Sequence, residues 1–403
     1  MQRITLAASV VVATLAFSIA PLASAQTAPA AASDKTAPSW QDDLLVWGFG
    51  AASAIPSDPH LRDKAAAQEN VALTAIQLGL STRAAGFANG MENWRRGSVY
   101  GQLAIEAAKA GRADAVKTYE QFAENALAGA EDWQRDRVLV KLAQAHAWLG
   151  DEATAARLEK GVGEAEVGKV AAVNAARAKP EDFDAQLAIL VKSIATKDLD
   201  VTRNAFETAA LLAKSAGSDD ARWTKIEEAI AGASVKIPRD IKMEALLRLA
   251  DVRSELGAKD AAKALIAKAV AMRVGAVWML DSEVPMSASI ARRLSAAGDV
   301  AGARAELDRG MASFEANKSK LPDVFRAQAL CPAAEAFARI GETARAKAVY
   351  DMAITESQLN PNSRPRAEDL ARICASIARS GIEPDPAMVA RIRACVAGLK
   401  TPW

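Results

Sequence analysis

Residues 249–269, LADVRSELGAKDAAKALIAKA, carry the pattern that decides the fold. Leu249 and Ala250 lie in an amphipathic stretch, and Gly257 follows seven residues after the alanine. A second amphipathic stretch then places Ile266 nine residues after the glycine. Apolar residues at this spacing are typical of helices, and glycine is the residue that most often follows a helix end. The stretch therefore predicts two helices joined by a glycine turn.

The same pattern recurs along the chain. A glycine follows an Ala-rich amphipathic stretch at positions 79, 111, 150, 217, 257, 298, 341 and 381, and one degenerate copy has Lys179 and Pro180 instead. A small residue stands seven positions before each turn: Ala72, Ala104, Ala143, Ala172, Ala210, Ala250, Ala291, Ala334 and Cys374. We expect this column to let two helix axes approach closely, while larger apolar residues beside it fill the space between units. The repeat predicts an all-α chain with one continuous core.

These columns resemble those of the tetratricopeptide repeat family. The match is strongest around Gly257, Gly298 and Gly341, where a small residue, a turn, and then an alanine and a large residue follow in order; in the first two units a large residue also precedes the small one. The resemblance covers residues 60–400 and implies a right-handed α-solenoid of about nine helix-turn-helix repeats with a concave inner groove. The units here run mostly near 40 residues rather than the family's roughly 34. A helical-pair solenoid of another type therefore stays open.

The N-terminus reads as an export signal followed by a spacer. Arg3 precedes a largely apolar run, and small residues up to Ala25 form a signal peptidase site. We therefore predict a signal peptide at 1–25, a flexible spacer with an N-terminal cap at 26–59, and the helical repeats at 60–403. Residues 161–197 are glycine-rich and poor in large apolar side chains, which predicts a change of curvature or a sub-boundary there. The expected location is periplasmic or secreted, and an uncleaved membrane anchor is the alternative.

Composition excludes several classes of protein. Alanine makes up 94 of 403 residues, and 50 basic side chains balance 49 acidic ones. A nearly neutral chain has no global attraction for nucleic acid or anionic lipid. The chain has two histidines, His60 and His146, without metal-ligand spacing, and it has no nucleotide or nucleophile-elbow motif. We predict no cofactor, no metal and no catalytic constellation.

The family resemblance implies where a ligand would bind. Residues six and two positions before each turn glycine should line the inner groove, and residues nine before should border it. In the C-terminal half these positions form an arginine-rich stripe that suits an acidic peptide, although ordinary solvated surface is the alternative. A tryptophan in the N-terminal half occupies an equivalent position. The candidate binding residues are Trp148, Arg248, Arg292, Arg339, Arg372 and Arg379.

The cysteines allow a disulfide. Cys374 and Cys395 fall on the two predicted helices of the last unit, and an exported protein meets an oxidising compartment. A Cys374–Cys395 bond would staple the C-terminal cap, and Cys331 would be left over. Alternatively, Cys374 simply fills the small-residue column.

Three functions remain open from the sequence. The first is an exported, non-enzymatic scaffold that binds a protein or peptide partner of unknown identity through a concave surface. The second is an enzyme or enzyme accessory that acts on cell-wall or glycan substrates. The third is an assembly role through self-association.

Overall fold

The computed structural model describes residues 37–403 except 197, 234–236, 274 and 276–277. Within that part of the chain the protein is all-α, with 19 α-helices, three short 3-10 helices and no strand. The predicted signal peptide and the first part of the spacer lie outside the described residues. None of the helices described is long and apolar enough to cross a membrane.

The helices follow one another with short connections. Their bounds are α1 Ser39–Ala54, α2 Ser57–Gln77, α3 Ser81–Asn89, α4 Arg95–Lys109, α5 Ala113–Asn125, α6 Asp132–Leu149, α7 Glu152–Glu159, α8 Lys169–Arg177, α9 Phe183–Ile194, α10 Leu199–Ala216, α11 Asp220–Ala231, α12 Arg239–Glu255, α13 Lys259–Ala271, α14 Leu280–Ala296, α15 Val300–Asn317, α16 Asp323–Arg339, α17 Thr343–Gln358, α18 Ser363–Ser380 and α19 Pro386–Ala397. The 3-10 helices span Glu164–Glu166, Pro180–Asp182 and Lys318–Lys320.

The glycine column ends the even-numbered helices, as the sequence predicts. All eight recurring glycines have a positive φ, between 55° and 84°, a conformation that side chains with a Cβ rarely adopt. Several following helices then begin at an aspartate whose carboxylate accepts a backbone N–H; Asp151 and Asp299 are examples. The sequence thus sets both the end of one helix and the start of the next.

The small-residue column is buried where neighbouring helices cross. Its nine members are at most 8% exposed. The large residues predicted nine positions after the glycine are buried too, and Ile226 and Tyr350 are fully inaccessible. The packing role assigned to both columns is confirmed.

The even-numbered helices pack in a closed series. Each from α2 to α16 packs against the next even-numbered helix, and α18 packs against both α16 and α2. We call these nine the inner helices. A linear array predicted from the repeat has two free ends, whereas here the first and last members of the series are neighbours.

Helix α1 completes this closure. It packs extensively against α18 and also against α2, whereas α19 makes only limited contact with α18. Leu44 and Leu45 of α1 are fully buried. The amide of Gln41 donates to the carbonyl of Ala378 at 2.9 Å. Helix α1 therefore packs against α18 in the way that α17 packs against α16.

Polar contacts also join α18 to α2. The guanidinium of Arg379 donates to the hydroxyl of Thr74 at 2.8 Å. Arg364 forms an ion pair with Asp63 at 3.2 Å. These partners are 305 and 301 residues apart in sequence, so each bond spans most of the chain.

The repeat is less regular than the sequence predicts. About nine repeats would supply eighteen helices, and the described residues hold 19, the additional one being α1. The expected irregularity near 161–197 coincides with a change in packing, since α9 packs against α10 rather than pairing closely with α8. Two 3-10 turns, Glu164–Glu166 and Pro180–Asp182, flank α8. Whether this segment is a domain boundary stays a prediction.

The buried apolar residues form two clusters rather than the one continuous core that we expected. One cluster joins residues from α1–α8 with residues from α14–α19, and the other runs from α8 to α14. Leu294 packs against both. The two ends of the chain thus share a core, because α1 and α2 lie against α18.

The predicted spacer at 26–59 is partly helical. Helix α1 lies entirely within it, and α2 begins at Ser57, just before the expected start of the repeats at 60. Trp47 of α1 lies near α19, where the guanidinium of Arg393 is 5.2 Å from its ring. The cap expected at the N-terminus is therefore a helix that packs chiefly on the last inner helix.

Candidate functional site

Helices α14 and α16 present two arginines to the same cavity. Arg292 lies six residues before the turn glycine of its unit and Arg339 two residues before, and positions four residues apart share one face of a helix. Both side chains are exposed. Both line two adjoining pockets, of about 300 Å³ and about 420 Å³, that span α12, α14, α16 and α18. We call these two pockets together the arginine groove.

The other residues that line the groove are polar at its sides, and those between them have short, apolar side chains. Arg379 of α18 lies at the same offset as Arg339 and lines the groove beside Ser289. Ala336 and Pro332 supply part of the apolar surface. Pro332 lies inside α16 and has no N–H, so it cannot serve the carbonyl four residues before it. The groove therefore combines charged groups with short side chains that leave space.

Every carboxylate that lines the arginine groove is already held by a cation. The pairs are Arg379–Glu335 at 2.7 Å, Arg293–Asp251 at 3.0 Å and Lys214–Glu255 at 2.9 Å. By contrast, the guanidinium groups of Arg292 and Arg339 make no ion pair or hydrogen bond within the described residues. The groove thus carries two positive charges that the described part of the protein does not compensate.

Both burial and neighbouring charges act on the pKa of Arg292. The pKa of Arg292 is lowered, chiefly because the surrounding protein displaces water from the guanidinium group. The positive charges of Arg293 and Arg339 lower it further, and the carboxylates of Asp251 and Glu244 act in the opposite direction. Arg292 is thus accessible from the groove and yet surrounded by protein, as expected for a side chain on a concave surface.

Arg293, the neighbour of Arg292, has a structural position instead. Its side chain is buried, and it bridges Glu244 at 2.9 Å and Asp251 at 3.0 Å on α12. It therefore fixes α14 to α12 below the groove. Two consecutive residues of α14 therefore differ: Arg293 pairs with two acids, and Arg292 pairs with none in the described residues.

The structure separates the six predicted binding residues. Arg292, Arg339 and Arg379 line the arginine groove together. Arg248 lines a different pocket between α10 and α12 and pairs with Glu207 at 2.6 Å. The other two residues, Arg372 and Trp148, line neither the arginine groove nor the pocket at Arg248.

Arg372 and Trp148 each have a partner of their own. Arg372 pairs with Asp369 at 3.2 Å on its own helix. Trp148 is half-buried on α6, and the ammonium group of Lys109 lies 5.9 Å from its ring. Neither residue lines the arginine groove.

The cysteines are free thiols in the structure. Cys331 and Cys374 are buried, and burial raises the pKa of each to about 12. Cys395 is half-buried, and burial raises its pKa as well. Cys374 fills the small-residue column, and the Cys374–Cys395 disulfide stays a prediction.

His146 is buried between two carboxylates. Its Nε2 lies 3.2 Å from Glu120 of α5, and its Nδ1 lies 3.2 Å from Asp151, the N-cap of α7. The ring therefore ties α6 to the helices on either side of it in sequence.

Sequence reasoning missed two features of the groove: its apolar surface at Pro285 and Pro332, and the contact of Arg379 with Thr74. Proline at positions 285 and 332, inside predicted helices, was a visible signal for an irregular helix face. The contact of Arg379 with Thr74 had no such signal, because it requires that the two ends of the chain meet.

Comparison with known proteins adds no assignment. No family model matches the chain, and no curated protein matches it. No group of acids, histidines and cysteines suited to a metal ion occurs among the residues that the structure describes. The description of function therefore rests on the geometry of the inner helices.

Proposed function

We propose that the protein is an exported scaffold that binds a protein or peptide partner on the face enclosed by its inner helices. The predicted signal peptide supports a periplasmic or secreted location. The repeat columns support a tetratricopeptide-like, right-handed α-solenoid, and the contacts of α18 with α1 and α2 support the closure of that array into a ring.

The observation that carries this proposal is the pair of uncompensated arginines in the arginine groove. Arg292 is exposed at the groove but has no ion-pair partner in the described residues, because Glu244 and Asp251 are engaged by Arg293. A groove with this charge is complementary to an acidic partner.

The dimensions of a ring of nine helices suit a polypeptide. Neighbouring helix axes lie about 8–10 Å apart, so a regular ring of nine measures about 23–29 Å between opposite axes. Subtracting a helix diameter of about 10–12 Å leaves an opening of about 11–19 Å. Such an opening admits an extended chain or a single helix.

Site-specific photo-crosslinking tests the proposal. A photoreactive residue in place of Ser254 or Ala296 lies at the groove, whereas the same residue in place of Lys117 or Asp260 lies exposed on α5 or α13. In cells that export the protein, we expect both groove positions to capture the same partner and neither outer position to do so. Equal capture from all four positions, or capture from the outer pair alone, would contradict binding on the inner face.

A further inference from the structure

We infer that the arginine groove binds an extended acidic segment of the partner, with Asp or Glu at alternate positions paired to Arg292 and Arg339. This inference rests on the proposed function and names the chemistry that the site recognises.

The charge of the groove supplies the first argument. Its three lining acids are already paired, and two guanidinium groups remain without counter-charge in the described residues. An arginine beside a carboxylate forms two parallel hydrogen bonds, which are stronger than those between neutral groups. Two carboxylates of the partner therefore suffice to pair with Arg292 and Arg339. The other cation that lines the groove, Arg379, already pairs with Glu335.

The arrangement of the two arginines supplies the second argument. They lie on neighbouring helices, whose axes are typically about 8–10 Å apart. In an extended segment, alternate side chains point to the same side and are about 7 Å apart. Two acids separated by one residue thus match two arginines on adjacent helices better than a single compact anion does.

The surface between the arginines supplies the third argument. Ala288, Ala336, Pro285 and Pro332 are short and apolar, and they leave a pocket of about 300 Å³. Short side chains at these positions let the backbone of an extended segment approach the helices between the two arginines, with its acidic side chains turned toward them. Arg379 borders the same pocket but is engaged by Glu335 and Thr74, so it contributes less.

Fluorescence anisotropy with labelled peptides tests the inference. The probes are an extended peptide that carries Glu-Ala-Glu between Gly-Ser flanks and its Gln-Ala-Gln counterpart, at about 50 mM salt, where charge interactions are weakly screened. We expect the acidic peptide to bind the wild-type protein at least about tenfold more tightly than the glutamine peptide. The double variant R292Q/R339Q should lose at least about tenfold of the affinity for the acidic peptide.

The control is the double variant R304Q/R391Q, which removes the same two charges from exposed positions on α15 and α19. It breaks two ion pairs, whereas R292Q/R339Q breaks none within the described residues, and circular dichroism of both variants checks that each is folded. We expect the control to change the affinity by less than about twofold. Equal losses in the two variants, or no preference for the acidic peptide, would overturn the inference.

The crosslinking experiment separates this inference from the proposed function. If the groove positions still capture a partner in R292Q/R339Q as efficiently as in the wild-type protein, the inner face binds but the arginine pair does not select the partner. If the groove positions never capture a partner, the proposed function itself fails.

Discussion

Asp369 shows how a single residue can oppose the stability of its own fold. It is 3% exposed on α18, and one of its carboxylate oxygens has no hydrogen-bond partner. Its pKa is raised from 3.8 to about 7, chiefly by burial; Arg372 opposes this rise, and Glu368 and Asp323 contribute to it. The native state therefore binds this proton more tightly than the unfolded chain does.

The sign of the pH dependence follows from this difference. Below about pH 4 the residue is protonated in both states and imposes no penalty. As the pH rises from about 4 to about 7, the unfolded chain loses the proton first, and the native state loses stability. The displacement of the pKa corresponds to at most roughly 4 kcal/mol.

We predict that Asp369→Asn is more stabilising at pH 8 than at pH 5. Urea denaturation at the two pH values measures the free energies of unfolding. The stability gained over the wild-type protein should grow by more than about 1 kcal/mol between pH 5 and pH 8. The matched control is Asp260→Asn on α13, whose side chain is fully exposed, and its effect should be the same at both values. An Asp369→Asn effect that does not change with pH would contradict the raised pKa.

At the same scale, the sequence places three of the six candidate binding residues at the groove, and it does not predict how they pair. Arg292, Arg339 and Arg379 follow from their offsets to the turn glycines, because helical periodicity sets the face on which a residue lies. The sequence does not show which of these arginines form ion pairs, since the acids that pair with Arg293 and Arg379 come from other helices. Only the packed structure shows that Arg292 is left without a partner.

At the scale of the element, α1 is the helix that the sequence describes least well. The sequence predicts an N-terminal cap within a flexible spacer, whereas the structure has a helix of 16 residues there. Its packing partner is α18, more than 300 residues away in sequence, and periodicity carries no information about contacts at that distance. The glycine and alanines of α1, such as Gly48 and Ala51, suit a close helix crossing, yet small residues are common throughout this chain.

We predict that α1 contributes to global stability through its buried leucines. Leu45→Ala should lower the free energy of unfolding by about 2–5 kcal/mol, because the side chain is fully buried in the core shared by both ends of the chain. The neighbouring Val46 is 41% exposed, so Val46→Ala should change stability by less than about 0.5 kcal/mol. Thermal or urea unfolding compares the two variants. If both effects are equally small, α1 is a loosely attached segment rather than part of the fold.

At the scale of the whole molecule, local rules predict the helix pairs but not their closure. The turn glycines and the small-residue column determine how each helix packs on the next, and both predictions are confirmed. Closure depends on the sum of small rotations between successive units, which no single column encodes. The irregular packing of α8 and α9 adds a step that the repeat does not describe.

Closure is the claim on which the enclosed groove depends, and a cysteine crosslink tests it most directly. A Cβ at Gly48 of α1 would lie 3.0 Å from the Cβ of Cys374 on α18, close to the separation in a disulfide once the helices adjust by several tenths of an ångström. Gly50, on the same helix, has no atom within 4 Å of such a Cβ. Gly50→Cys, and Gly48→Cys combined with Cys374→Ser, are therefore matched controls.

The measurement is peptide mapping of the Gly48→Cys protein by mass spectrometry after mild oxidation of the folded monomer. We predict an intramolecular bond between positions 48 and 374 in most molecules, and none involving the introduced cysteine in either control. An array with separated ends cannot form this bond within one chain. Its absence in folded Gly48→Cys monomer, with both thiols free, would contradict closure.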